Sequence, residues 1–204
     1  MSMAGWLSPN KQSGSGNDTV VFSALSQNTG RNSRNTNATF SAANVQDVVL
    51  TATQAGKPEF VNLQASAAVS KSGVQSLTLS GTTNSSKLTF SLGANNTLAL
   101  TLPTKYLANS VQTNNGAAIS GDPGASAEFA FSITFENIPE NTTIDALTAQ
   151  VIVTDNAGHT STCLITQAAG DPTLSVSPLT VELPWDASTT ASVSVTSNTN
   201  WELS

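Results

Sequence analysis

Apolar and polar residues alternate with period two along most of the chain, and no apolar stripe of helical period interrupts them. Successive side chains of a strand point to opposite faces, so this alternation predicts half-buried strands. The clearest case is Phe129, Phe131, Ile133 and Phe135, with Ala130, Ser132 and Thr134 facing away. Before it, Leu77/Leu79, Leu88/Phe90/Leu92 and Leu98/Leu100/Leu102 each predict a strand. After it, Val151/Val153 and Cys163/Ile165 predict two more, joined by a hairpin turn at Asp155-Asn156-Ala157-Gly158-His159. Nearer the start, Thr19–Leu25, Asn37–Ala42 and Val48–Thr53 read as strands between the turn-rich stretches 12–17 and 27–32. The last stretch alternates again at Leu174/Val176, Leu179/Val181/Leu183, Ala191/Val193/Val195 and Trp201/Leu203. Asn109–Ala127 is the longest break, and long loops between strands are frequent contact elements. The expected fold is all-β: the middle strands argue a Greek-key or immunoglobulin-like sandwich, and the whole chain is expected to hold tandem immunoglobulin-like β-sandwiches.

Two strand endings repeat. The strand over Val48–Thr53 closes in Gln54-Ala55-Gly56-Lys57-Pro58, and the strand carrying Cys163 and Ile165 closes in Gln167-Ala168-Ala169-Gly170-Asp171-Pro172. Glycine takes up a bend and proline cannot donate to a ladder, so both sites stop a strand. They divide the chain into an N-terminal half-domain (1–57), an enlarged sandwich (58–170) and the start of a further domain (171–204).

Charged residues are only 10% of the chain, so the outer sheet faces are expected to be polar but uncharged. The net charge of −6 is uneven. Residues 1–57 carry Lys11, Arg31, Arg34 and Lys57 against Asp18 and Asp47, a net +2, while 58–170 and 171–204 each carry −4. A mildly basic head therefore suits an acidic partner, including the acidic tail of another copy. No Lys/Arg cluster exists for nucleic acid, and no apolar run approaches the ~20 residues of a membrane span. The opening Met-Ser-Met-Ala-Gly-Trp-Leu shows no secretory leader. The single cysteine, Cys163, excludes a disulfide within the chain. Sequons at Asn17, Asn37, Asn84, Asn95 and Asn141 read as chance matches in so Asn/Ser/Thr-rich a sequence.

No constellation for catalysis stands out. His159 is alone in a turn, Cys163 alternates with Ile165 as a small core residue, and Glu136, Glu140 and Asp145 lack calcium-loop spacing. Asp18, Asp47 and Asp155 fit no acid/base pair, and no glycine-rich loop leads into a helix. The chain reads as a non-enzyme without cofactor or metal. Trp185, in Pro184-Trp185-Asp186-Ala187, is expected to be exposed and is taken with Asn114 and Asn115 as a candidate glycan or contact surface.

The two ends carry a resemblance. Leu174-Ser175-Val176-Ser177-Pro178 followed by the run 191–201 ending in Asn198-Thr199-Asn200-Trp201 resembles the opening half of a BACON domain, an immunoglobulin-like sandwich family of Bacteroidetes and their phages. Trp6-Leu7-Ser8-Pro9, the Ser/Gly run 13–17, Asn28-Thr29-Gly30-Arg31 and Gln54-Ala55-Gly56 resemble its closing half, and the resemblance implies that Trp6 and Trp201 pack into or against sandwich cores. The resemblance implies a virion protein of a crAss-like or related Bacteroides phage, made in the host cytoplasm and carried on the capsid surface. It would act as a head decoration or head-fibre base, docked as a homotrimer on the major capsid or other virion proteins, with a host-surface glycan as a further partner. A secreted Bacteroidetes carbohydrate-binding or spacer module, or a tail-fibre component, is the alternative. For the split ends three explanations stay open: continuation of the chain beyond Ser204, pairing of the ends within one chain, or completion of one copy's head by another's tail.

Overall fold

The computed structural model describes residues 3–185 and 189–204, and among these the protein is almost entirely β with no α-helix. The strands are β1 (Leu7–Pro9), β2 (Phe22–Ala24), β3 (Arg34–Phe40), β4 (Val48–Gln54), β5 (Val61–Leu63), β6 (Ser66–Val69), β7 (Val74–Thr83) and β8 (Leu88–Leu92). They continue as β9 (Lys105–Ala108), β10 (Val111–Asn114), β11 (Phe129–Ile138), β12 (Leu147–Asp155), β13 (Thr160–Gln167), β14 (Leu174–Ser177) and β15 (Ser194–Ser197).

The middle of the chain folds as two facing sheets. One has the order β10-β9-β11-β7-β5 and the other β6-β13-β12-β8, with every neighbouring pair antiparallel except β6 and β13. Their inner faces share one core. Leu79, Ile133, Phe135 and Phe131 come from the first sheet, and Leu88, Phe90, Val151, Val153, Cys163 and Ile165 from the second. The Phe90 ring lies 5.8 Å from Phe131 and 5.1 Å from Tyr106, tilted as aromatic quadrupoles prefer. The β11–β7 ladder runs from Phe129 opposite Thr83 to Ile138 opposite Val74, so these two strands span the sandwich from one pole to the other.

Outside this core lie smaller pieces. The head (3–56) stacks the β1–β2 pair beside the β3–β4 hairpin, with Phe22 edge-on to Phe40 at 6.5 Å and Ala4 N–H donating to Thr36. The tail is the β14–β15 pair with extended chain around it.

Several sequence expectations change. Leu98, Leu100 and Leu102 form no strand: the Thr97 and Leu98 amides both donate to the one Thr148 carbonyl instead of alternating along a ladder, and the leucines pack on the core. Leu179, Val181 and Leu183 form none either, lying between Pro178 and Pro184, which remove ladder donors. The 109–127 stretch is not one open loop: it contains β10 and a 3-10 turn over Pro123–Ala125. Trp201 is half exposed instead of buried in a core, since nothing among the described residues covers the tail's apolar face.

Candidate docking surfaces at the two poles

The head is fixed to the sandwich at the pole where β7 ends and β11 begins. There the side chain of Asn84, fully buried, donates to the carbonyls of Thr29, Lys57 and Pro58 and accepts the Phe60 amide at 3.1 Å. Four backbone groups with no ladder partner are thereby satisfied by one amide side chain. A second buried asparagine, Asn28, accepts the Gly30 amide and donates to Asn32 and Ala55 carbonyls. The loop before β11 then closes on this frame. Arg31 N–H donates to Gly124 O and Asn32 N–H to Ala125 O. The Arg31 guanidinium forks onto the Asp122 carboxylate, donates to Asn84 O at 2.8 Å and lies 3.7 Å from Glu59. Bidentate, partly buried pairs of this kind hold orientation better than surface ion pairs. Lys57 adds a contact to Glu128 at 3.0 Å, with its ammonium over the Phe60 ring. The 120–127 stretch is thus a contact element, and what it contacts is the chain's own head.

The opposite pole carries the same frame, 113 or 114 positions on. Asn141 accepts the Thr143 amide and donates to Asp145 and Ala168 carbonyls, as Asn28 does with Gly30, Asn32 and Ala55. Gly170 N–H donates to Thr143 O as Lys57 N–H does to Gly30 O. Asn198 donates to Thr142 and Asp171 carbonyls and accepts the Thr173 amide, matching Asn84 with Thr29, Pro58 and Phe60. Ser197 Oγ donates to Thr173 O as Thr83 does to Phe60 O. Here no loop among the described residues closes the frame. Thr142, Thr143, Ile144 and Asp145 face Ser197, Asn198, Thr199 and Asn200 across an open groove of about 610 Å³.

The singled-out side chains are placed apart. Trp185 is 99% exposed on the tail. Asn114 is exposed at the end of β10, while Asn115 is committed to the Phe90 backbone through both its amide groups, at 2.7 and 3.0 Å. No hydrogen bond or ring contact among the described residues joins Trp185 to either asparagine. The neighbours Asp186 and Ala187 lie outside the described residues.

His159 holds the β12–β13 turn with its ring 2.8 Å from the buried Asp155 carboxylate, which also accepts the His159 amide. Ser85 Oγ accepts the Asn156 amide beside Asp155 and donates to Glu59 and the Lys87 carbonyl. Burial pushes the Cys163 thiol and the Tyr106 phenol up, which keeps both protonated. Among the described residues no three His, Cys, Asp or Glu side chains come together to hold a metal ion, and no helix is long and apolar enough to cross a membrane. What sequence reasoning missed is the asparagine frame. Its signal was faint: Asn28-Thr29 and Asn141-Thr142 recur before the two hairpins in a chain full of asparagine and threonine. No protein-family model matches the chain, and no curated protein matches it in sequence.

Proposed function

We propose that this protein is a non-enzymatic structural component of a phage virion, a head decoration or head-fibre base built of tandem immunoglobulin-like, BACON-type sandwiches. The observation that carries a docking role is the arrangement at the poles: a rigid, well-packed sandwich presents two strand pairs whose apolar faces stay open to solvent. Leu25, Val45, Val48 and Val49 are exposed at one pole, and Leu174, Leu179, Leu183 and Leu203 at the other. Patches of this kind mark interaction sites. The motif resemblance at both chain ends supports the virion assignment, with the major capsid or another virion protein as partner, a homotrimer as assembly and the capsid surface as location. Mass spectrometry of purified particles tests it, with the chain expected at a fixed ratio to the major capsid protein. The fully exposed Trp185 ring favours a second reading, a secreted glycan-binding module. Strong saccharide binding on a glycan array that disappears in Trp185→Ala would establish that reading and sink the first.

A further inference from the structure

The repeated frame makes the two ends of the chain intelligible as parts of one object. The head hairpin β3–β4 pairs Arg34 with Gln54 and Phe40 with Val48; 113 positions on, β12–β13 pairs Leu147 with Gln167 and Val153 with Ser161. The tail pair β14–β15 sets Leu174 opposite Ser197 and Val176 opposite Val195, as β5–β7 sets Val61 opposite Thr83 and Leu63 opposite Gly81. The head therefore repeats the β12–β13 part of the sandwich, and the tail repeats its β5–β7 part.

In the sandwich these two parts are packed on each other. β5 lies across β12 and β13, and Leu63 N–H donates to Ser161 Oγ at 2.9 Å. Val61, Leu63 and Leu79 on one side, and Val153 and Cys163 on the other, are all buried in the shared core. Their counterparts are not. Leu174, Val176 and Val193 are 60%, 37% and 46% exposed, and Phe40 and Leu50 are 44% and 40% exposed. The two open faces are the two sides of one missing interface.

They cannot meet within one chain. The head joins the sandwich at the Phe129 end of β11 and the tail at the Ile138 end, and ten strand residues separate those ends by roughly 30 Å. We propose that the tail of one copy packs on the head of a second copy of this chain, β14 lying across β3 and β4 as β5 lies across β12 and β13. Charge agrees. By sequence the tail carries Asp171, Glu182, Asp186 and Glu202 with no base, and Lys71 pairs only with the first. In the head, Arg31 and Lys57 are taken up at the joint, but Arg34 lies 4.9 Å over Trp6 with amide and hydroxyl partners and no carboxylate among the described residues. The contact is heterologous, so it propagates head to tail, closing into a ring only where the rotation between copies allows. It goes beyond the virion reading and holds with or without it.

The template sets the register: Val176 takes the place of Leu63 and Val48 that of Ser161. Both valines are surface residues, so Val48→Asp and Val176→Asp leave the sandwich intact, which urea unfolding verifies. Sedimentation of the full chain at high micromolar concentration is expected to show oligomers. Each aspartate variant alone is expected to lose association by about a hundredfold or more, since it buries an unpaired charge. Mixed together, they are expected to form 1:1 dimers and nothing larger, because one intact tail then meets one intact head. Oxidation of mixed Val48→Cys and Val176→Cys chains is expected to give the same dimer covalently, with neither variant cross-linking alone. A monomeric full chain, continued self-association of either aspartate variant, or a mixture that stays monomeric overturns the proposal.

Discussion

The two poles of the sandwich are built on the same asparagine frame, yet only one is closed. At the head pole the loop 122–126 presses onto the frame; at the tail pole its place is the open groove beside Ile144. Residue choice follows from that difference. Gly30 has no room for a side chain, since a Cβ would lie 2.4 Å from the Ser126 backbone, while its counterpart Thr143 carries one that bonds to Asn141. Arg31 finds a carboxylate in the loop, whereas its counterpart Ile144 is exposed. Equal backbone instructions yield different side-chain requirements when one site has a neighbour and the other does not.

Importing the tail-pole residue into the head pole breaks the comparison most sharply. Gly30→Thr is expected to cost about 3 kcal/mol or more through overpacking, read from urea midpoints, while Thr143→Gly costs about 1 kcal/mol through lost hydrogen bonds and backbone freedom. A similar cost for both would show that the loop yields freely and that glycine is not required there. Next, Asn84→Ala strands a buried amide and three carbonyls and is expected to destabilise by roughly 2–3 kcal/mol, against under about 1 kcal/mol for Asn198→Ala at the open pole. Smaller again, Asp122→Ala removes the Arg31 fork at about 1–2 kcal/mol and is expected to free the head for proteolysis between residues 26 and 58 before the sandwich is cut. The smallest effect is alkaline. The Cys163 thiol is pushed up by burial, so the stability it contributes is complete below the thiol's ordinary range and is lost as pH rises through its folded value. Cys163→Ala is expected to flatten the fall of urea midpoint above neutral pH, and an unchanged slope would assign that fall to other groups such as Tyr106.

Legibility in the sequence followed the strength of period two. The Phe129–Phe135 alternation became the inner face of β11, the hairpin at Asp155–His159 is where it was read, and Gln54 and Gln167 do end strands. The short strands β5, β6 and β9 passed unread, because three or four residues hold too few alternations to define a period. Leu98, Leu100 and Leu102 misled for the opposite reason: alternation there packs one buried and two half-buried leucines without any ladder. The asparagine frame was least visible. Asn84 and Asn141 sit in sequons that read as chance, and only their burial among backbone carbonyls shows what they do.

The parallel pairing of β6 with β13 sets how the sandwich bears tension. Chain enters the sandwich at the head pole ahead of β6 and leaves at the tail pole from the end of β13, with Ser66 opposite Leu164 and Val69 opposite Gln167. A pull along the axis loads β5, paired with β7, and then drags β6 back by its first residue and β13 forward by its last. The two strands are loaded in opposite directions along their shared length, so the bonds between them resist together instead of parting one at a time. Forced unfolding is governed by an unfolding rate, and rupture of this ladder is one step that sets it.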